Sequence, residues 1–419
     1  MNKQQPTTNP PGSQSLMGGT PKTALAHKQL RVILVRHGQS TYNAQKRYQG
    51  SCDDSVLTDK GHQSAYQTGV ALKTYSVDAI YTSPLRRTQE TAKDILQAFA
   101  KDIPLQTHPC LQEISMPGWE SLSFEYVREH FVEEYRCWKE KPHEFAFIDS
   151  SFVTSHLLLA KATTSLQIKD NKPPRTKQFF PVLDLYEKAG RFWQEILPRH
   201  AGQTVLIVSH AGTIRALIGT AIALSPARYH TLQQSNCGVS ILKFSHPFDQ
   251  SAKLEAMNFT THLGEVLPKL KEGKHGLRLL LVPSSGANPN SIEKLAVFLH
   301  KEAIAFCIST DFDKNQHIAE KILQYHPSTV HLQTLRLDFP RLWQQTIQSC
   351  SIDSTSLTTG LVVADDTIIQ QMLGQVLELS ADQQENLQLI SGTMSIVHYP
   401  VAHRKPVLQA LNISSTELH

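Results

Sequence analysis

Two histidines follow apolar runs in a way that suits chemistry at phosphorus. His37 comes directly after Val32-Ile33-Leu34-Val35 and Arg36, and His210 comes just after the run Val205 to Val208. A neutral imidazole is a competent nucleophile toward phosphorus, and arginines beside it disfavour its protonated form by like-charge repulsion. His37 is therefore the candidate for a phosphohistidine. Arg36, with either Arg86 or Arg87, can present planar guanidinium forks to phosphoryl oxygens, whose charge must be matched as the group transfers. His210 adds a donor, and Gly212 opens a helix whose free N–H groups favour an anion. No D-x-H or H-x-H cluster accompanies these histidines, so neither a metal nor a cofactor is expected.

For these side chains to meet, several strands must end beside one another. Leu30 to Val35, Asp78 to Thr82 and Val205 to Val208 read as short buried strands, and Thr58 to Tyr75, Pro84 to Ala100 and Gly212 to Leu224 as helices. Strands alternating with helices predict an α/β fold, a three-layer, mostly parallel sheet with helices on both faces, whose ligands gather at the carboxyl ends of the strands. Residues 140 to 180 interrupt the alternation with a polar insert ending in Asn171-Lys172-Pro173-Pro174-Arg175, expected to be a surface loop or lid. Residues 1 to 28 carry no Asp or Glu and no apolar period, and are expected to form a flexible tail.

The plan occurs twice. Placing Thr204 to Phe244 over Thr359 to Tyr399 without a gap gives 11 identities in 41 positions, and Leu30 to Val35 lies over Leu277 to Val282, Val77 to Leu96 over Ile304 to Leu323. The expected organisation is a catalytic unit over 29–262, a linker over 263–276 and a shortened, degenerate second copy over 277–419. The copies differ at the strand ends. Arg36-His37-Gly38 is matched by Pro283-Ser284-Ser285, Ser209-His210-Ala211-Gly212 by Ala364-Asp365-Asp366-Thr367, and Arg87 by Lys314, while Asn290 follows Ser284 at the spacing of Asn43 after His37.

The first half resembles the histidine phosphatase superfamily, the group that includes phosphoglycerate mutases and many phosphomonoesterases. The resemblance rests on Arg36-His37-Gly38-Gln39-Ser40-Thr41-Tyr42-Asn43, Arg47-Tyr48-Gln49-Gly50, Leu57-Thr58-x-x-Gly61, Thr82-Ser83-Pro84-Leu85-Arg86-Arg87-Thr88, Leu111-Gln112-Glu113, Gly118-Trp119-Glu120 and Ser209-His210-Ala211-Gly212, in that order. It implies the phosphoglycerate mutase-like fold, His37 as nucleophile, and Arg36, Arg87 and His210 around the phosphate. It also implies Glu113 as general acid and then base, with Glu120 and Glu125 as nearby competitors for that role. Asn43, Gln49, Gly50 and Gly212 would complete the substrate contacts. Ala211 follows the second histidine and Ile114-Ser115-Met116 follows Glu113, which departs from the mutase pattern and favours hydrolysis. The two-unit layout and the run Leu232 to Ser240 are similar to a cyanobacterial and plant group described as 2-carboxy-D-arabinitol-1-phosphate phosphatase-like. That similarity implies a sugar phosphate near carbon fixation, one that inhibits Rubisco.

The bulk composition agrees with a globular, cytoplasmic chain. The 419 residues are 40% apolar and 19% charged, too long for one small module, and a net charge of +4 does not suggest a nucleic-acid surface. No run approaches a membrane helix, and the six cysteines form no C-x-x-C. The expected partner is a small phosphorylated metabolite, not nucleic acid or membrane, with the second unit standing in for a dimer partner. The expected activity is a metal-independent phosphomonoesterase. A phosphoglycerate mutase and a non-catalytic phospholigand-binding regulator are the alternatives.

Overall fold

The computed structural model describes residue 1 and residues 29–99, 101–148, 178–246, 251–310, 313–351, 355–401 and 405–414. All but the first residue of the tail expected over 1–28, and most of the insert, 149–177, lie outside these residues. Fourteen strands are described: β1 (Leu30–Arg36), β2 (Ala79–Thr82), β3 (Leu105–Thr107), β4 (Phe147–Ile148), β5 (Gln178–Phe179), β6 (Thr204–Ser209), β7 (Val239–Phe244), β8 (Ala252–Phe259), β9 (Gly276–Pro283), β10 (Phe306–Thr310), β11 (Val330–Thr334), β12 (Leu357–Ala364), β13 (Met394–Pro400) and β14 (Val407–Ile413).

Twelve of these strands form one mixed sheet in the order β11-β10-β12-β9-β13-β14-β8-β7-β1-β6-β2-β3. Read inward from either edge the order is the same, with β1 matched by β9, β6 by β12, β2 by β10 and β7 by β13. Within each half the central strands are parallel, as β1 with β6 and β9 with β12, and the next two are antiparallel. The halves meet where β14 pairs with β8 at Leu411 and Met257. The fold is thus the expected α/β architecture, built twice into one continuous sheet.

The central strands β1, β6 and β9 are buried over nearly their whole length and mostly apolar, because both of their faces are covered. On β1, Val32 and Leu34 point into one core while Ile33 and Val35 point into the other, and each core runs across the seam into residues of β9 and β12. Helices Asp59–Leu72 and Arg86–Phe99 pack on one face, and Pro181–Ile196 and Ala211–Ala221 on the other. Local chemistry fixes their starts: Thr58 accepts from Gly61 N to cap the first, and Pro181 opens the third. Among the described residues no helix is long and apolar enough to cross a membrane.

Two expectations change here. The start of the 140–180 segment is not a surface loop, because Phe145 is buried and packs with Trp119 and Trp138 at ring distances of 5.0 and 5.4 Å. Phe147 then pairs with Phe179 between β4 and β5, which closes the base of the insert. The linker over 263–276 is more than a tether: Pro268 O accepts from Arg278, Lys269 O accepts from Gln233, and Glu272 pairs with Lys139 at 2.6 Å.

Candidate functional site

Parallel pairing of β1 with β6 puts Arg36 opposite Ser209, so the residues that follow each strand emerge together. His37 N donates to Ser209 O at 2.9 Å, and the rings of His37 and His210 lie 5.2 Å apart at 63°. Both histidines are buried, at 1% and 0% exposure. His37 Nδ1 lies 2.7 Å from Gly38 O, which can only accept, so Nδ1 carries the proton and Nε2 keeps its lone pair. Burial, and then the charges of Arg36 and Arg87, hold the pKa of His37 well below its ordinary value. The sequence pointed to arginine repulsion, and in the structure burial is the larger cause.

His210 is set by a residue that the sequence reading left without a role. Ser83 Oγ accepts from Leu85 N and lies 2.8 Å from His210 Nε2. The hydroxyl can donate into Nε2, and in that tautomer the ring proton sits on Nδ1, an atom with no partner among the described residues. Burial, followed by Arg87, His37 and Arg36, also lowers the pKa of His210 far below 6.5.

The two candidate arginines differ in burial. Arg87 is fully buried, with Nη1 donating to Cys52 O at 2.8 Å and Nη2 to Gly50 O at 3.0 Å. Arg86 is exposed and pairs with Glu90 at 3.4 Å. Arg36 donates from Nη1 to Gln234 O at 2.9 Å, and burial draws its pKa down to about 10, so it stays charged at neutral pH. The Nε atoms of Arg36 and Arg87 have no partner among the described residues.

Glu113 comes to the start of helix Ala211–Ala221. Its Oε2 accepts from Gly212 N at 3.4 Å, and its Oε1 accepts from Ile114 N at 2.9 Å. A side chain at Gly212 would put its Cβ 2.4 Å from Glu113 Oε1 and 2.5 Å from the Tyr229 hydroxyl, so only glycine lets the carboxylate approach. The competing glutamates are occupied elsewhere. Glu120 Oε1 accepts from Ser51 N and Oγ at 2.8 and 3.0 Å, and Glu125 is on the exposed side of its helix.

The remaining expected contacts hold the loop after β1. Ser40 caps the short helix Thr41–Ala44 in a capping box with Asn43, and its hydroxyl donates to Gln49 Oε1 at 2.9 Å. Asn236 Nδ2 donates to His37 O, Gly38 O and Asn43 Oδ1 at 3.0, 3.2 and 2.9 Å. Asn236 and Gln234 therefore build the site from the segment before β7. Their only sequence signal was their place in the run Leu232 to Ser240.

The matching place in the second half is different. Ser284 and Asp365 stand where the histidines stand, Ser285 N donates to Asp366 Oδ1 at 3.1 Å, and Lys314 and Asn290 are exposed. Asn288, not Asn290, caps the following helix. Between the halves lies a cavity of about 460 Å³, lined by residues including Tyr135, Lys139, His230, Glu272, Pro400 and Lys405, but by neither His37 nor His210.

Comparison with known proteins gives a consistent picture. The family model described as histidine phosphatase superfamily (branch 1) matches residues 32–155 and 159–258, together more than half of the chain. The 2-carboxy-D-arabinitol-1-phosphatase of Triticum aestivum is 34% identical over 215 residues, 51% of this chain and 37% of that protein. Phosphoserine phosphatase 1 of Hydrogenobacter thermophilus is 28% identical over 236 residues, covering 56% of this chain and 95% of that one. The probable phosphoglycerate mutase GpmB of Escherichia fergusonii is 30% identical over 211 residues, covering 50% of this chain and 83% of that one. The chain thus spans little more than a third of the wheat relative's length.

Proposed function

The chain belongs to the histidine phosphatase superfamily (branch 1), and from that premise we propose that it hydrolyses a small phosphorylated metabolite through a phosphohistidine on His37. The observation that carries this reading is the commitment of His37 Nδ1 to Gly38 O, which leaves Nε2 unprotonated in a buried, cation-lined site. Nε2 attacks phosphorus, the N–P bond forms, and the ester P–O bond breaks as the leaving oxygen takes a proton from Glu113. The Glu113 carboxylate then removes a proton from water, the resulting oxygen attacks phosphorus, and the N–P bond breaks to release inorganic phosphate and neutral His37.

Arg36, Arg87 and His210 Nδ1 match the charge on the equatorial oxygens, while Asn43, Gln49 and Gly50 shape the loop that receives them. Residues 29–262 carry this chemistry. Residues 277–419, with Ser284 and Asp365 in place of histidines, cannot run it and serve as a structural companion. The phosphatase names of the wheat and Hydrogenobacter relatives support a phosphorylated metabolite as substrate, and the wheat relative's name points to 2-carboxy-D-arabinitol 1-phosphate or a related sugar phosphate. The test is phosphate release from 2-carboxyarabinitol 1-phosphate, phosphoserine, 3-phosphoglycerate and glycerol 3-phosphate in EDTA, by wild type and His37→Ala. Chelator-resistant release lost in His37→Ala supports the reading. Isomerisation of 3-phosphoglycerate without phosphate release selects a mutase, and tight binding without turnover selects a regulator.

A further inference from the structure

The two ends of the twelve-stranded sheet carry strands that match by position, β3 and β11, and their edges differ. At the first half's end, β3 is three residues long, exposes Gln106 and Thr107, and stands between Pro104 and Pro109, with Lys101 and Asp102 just before it. At the second half's end, β11 is five residues long and exposes two apolar side chains of one face, Val330 at 59% and Leu332 at 43%. Leu335 and Leu337 extend the exposed apolar surface beyond it. Between Lys321 and Arg336 the chain has no Asp, Glu, Lys or Arg. Edge strands of natural sheets are kept short, charged or flanked by proline, because their free N–H and C=O groups template pairing with another chain. β3 follows that rule and β11 does not.

The inner side of β11 is taken. It runs parallel to β10, with Val330 opposite Phe306 and Thr334 opposite Thr310, and Val330 N donates to Ala305 O at 3.2 Å. His331 Nε2 lies 2.9 Å from Ser309 Oγ, a further tie to β10. Backbone direction alternates along a strand, so Val330, Leu332 and Thr334 turn their N–H and C=O groups toward β10. His331 and Gln333 turn theirs outward, where no strand lies among the described residues.

We infer that β11 is a docking edge for a second copy of this chain, paired antiparallel about a two-fold axis through Leu332. In that register His331 of each copy exchanges both backbone hydrogen bonds with Gln333 of the other, and the two Leu332 side chains meet on the axis as a non-hydrogen-bonded pair. A segment without formal charge meets its own copy without like-charge repulsion, and it offers a charged partner nothing to pair with. The pairing also removes from water apolar side chains that the fold of one chain leaves outside. It is independent of the phosphomonoesterase reading, since β11 lies at the far end of the sheet from His37 and His210.

The test is sedimentation equilibrium on the full-length chain. Wild type dimerises with a Kd below about 0.1 mM. Leu332→Lys and Leu332→Glu each put like charges on the axis and weaken the dimer by about 10-fold or more, and an equimolar mixture of the two variants restores it. Leu332 is exposed, so both variants keep the wild-type circular dichroism, while Gln106→Lys on β3 leaves association unchanged. A wild type that stays monomeric overturns the pairing and assigns β11 to a different partner. A dimer that neither Leu332 variant weakens, or that Gln106→Lys weakens as much, overturns it too. Loss of the dimer in both Leu332 variants without recovery in their mixture overturns the two-fold register.

Discussion

Asn258 and Asn412 hold equivalent places in β8 and β14 and reach across the seam in opposite directions. Asn258 Nδ2 donates to Gln409 O at 2.7 Å, and Asn412 Nδ2 donates to Glu255 O at 2.7 Å. Both residues are left-handed, with φ of 55° and 53°, and each accepts a backbone N–H through Oδ1, from Ser235 and from Ile390. Asparagine is one of the few side-chain-bearing residues that tolerates this conformation while bonding locally. The seam is therefore a pair of matched hydrogen-bonded corners, reinforced by Leu254 N to Asn386 O at 2.7 Å and by the ion pair of Arg228 with Glu378.

Replacing either asparagine removes bonds that nothing else supplies. Asn258→Leu leaves Ser235 N and Gln409 O unmatched in the interior and forces a branched side chain into the left-handed region. We expect a loss of about 2–4 kcal/mol, read as a lower urea midpoint, with Asn258→Ala losing less. An unchanged midpoint would show that the corner does not hold the seam.

The buried histidines make stability fall in acid. His37 and His210 have pKa values well below the ordinary 6.5 when folded, so the unfolded chain takes up protons first as pH drops. Their contribution is complete above about pH 6.5 and declines below it, at up to roughly 1.4 kcal/mol per pH unit for each group, until the folded values are reached. Urea midpoints at pH 7 and pH 5 measure this. For the same reason, protonation of His37 in the free enzyme does not place the acid limb of kcat/KM at 6.5.

Arg87→Lys tests the fork. The guanidinium reaches Cys52 O and Gly50 O at once while keeping Nε open, and an ammonium cannot satisfy both carbonyls and still face the phosphate. A drop of about 100- to 1,000-fold in kcat/KM is expected, against little change for Arg86→Lys on the surface. Equal effects at the two positions would remove Arg87 from the phosphate.

Gly212→Ala adds one methyl group 2.4 Å from Glu113 Oε1. The carboxylate must move, and a displacement of that size costs about 100-fold in kcat. The decisive comparison is an aryl phosphate, whose leaving group needs no proton: its first step should suffer less than that of an alkyl phosphate.

Much of this fold was legible in the chain because its signals are local. Thr58 as a cap, the helix opened after Pro84 and the runs around Val32 and Val205 each fix an element, and the repeat fixed the order of the second half. His37, Arg36 and His210 were legible for the same reason, as residues ending apolar runs. Ser83, Asn236 and Lys271 were not, because each acts through a partner far along the chain: His210 lies 127 residues from Ser83, and Lys271 lies 37 from Gln234. In a segment reading Lys269-Leu270-Lys271-Glu272-Gly273-Lys274, nothing distinguishes the lysine that turns inward from those that stay in water. Lys314 was misleading in the opposite way, matching Arg87 by alignment while standing on an exposed helix face.

The connector is pinned at both ends, by Gln233 and Gln234 of one half and by Arg278 at the start of the other. Its path therefore depends on where β9 sits, and β9 sits where the seam puts it. A chain cut after β8 would keep His37, Arg36, Arg87 and His210 but lose the connector's bonds to Gln233 and Gln234 and the β14 partner of β8. Because Gln234 O holds Arg36 as well as Lys271, a shift at the seam is carried along the connector to a carbonyl that positions one of the site's arginines.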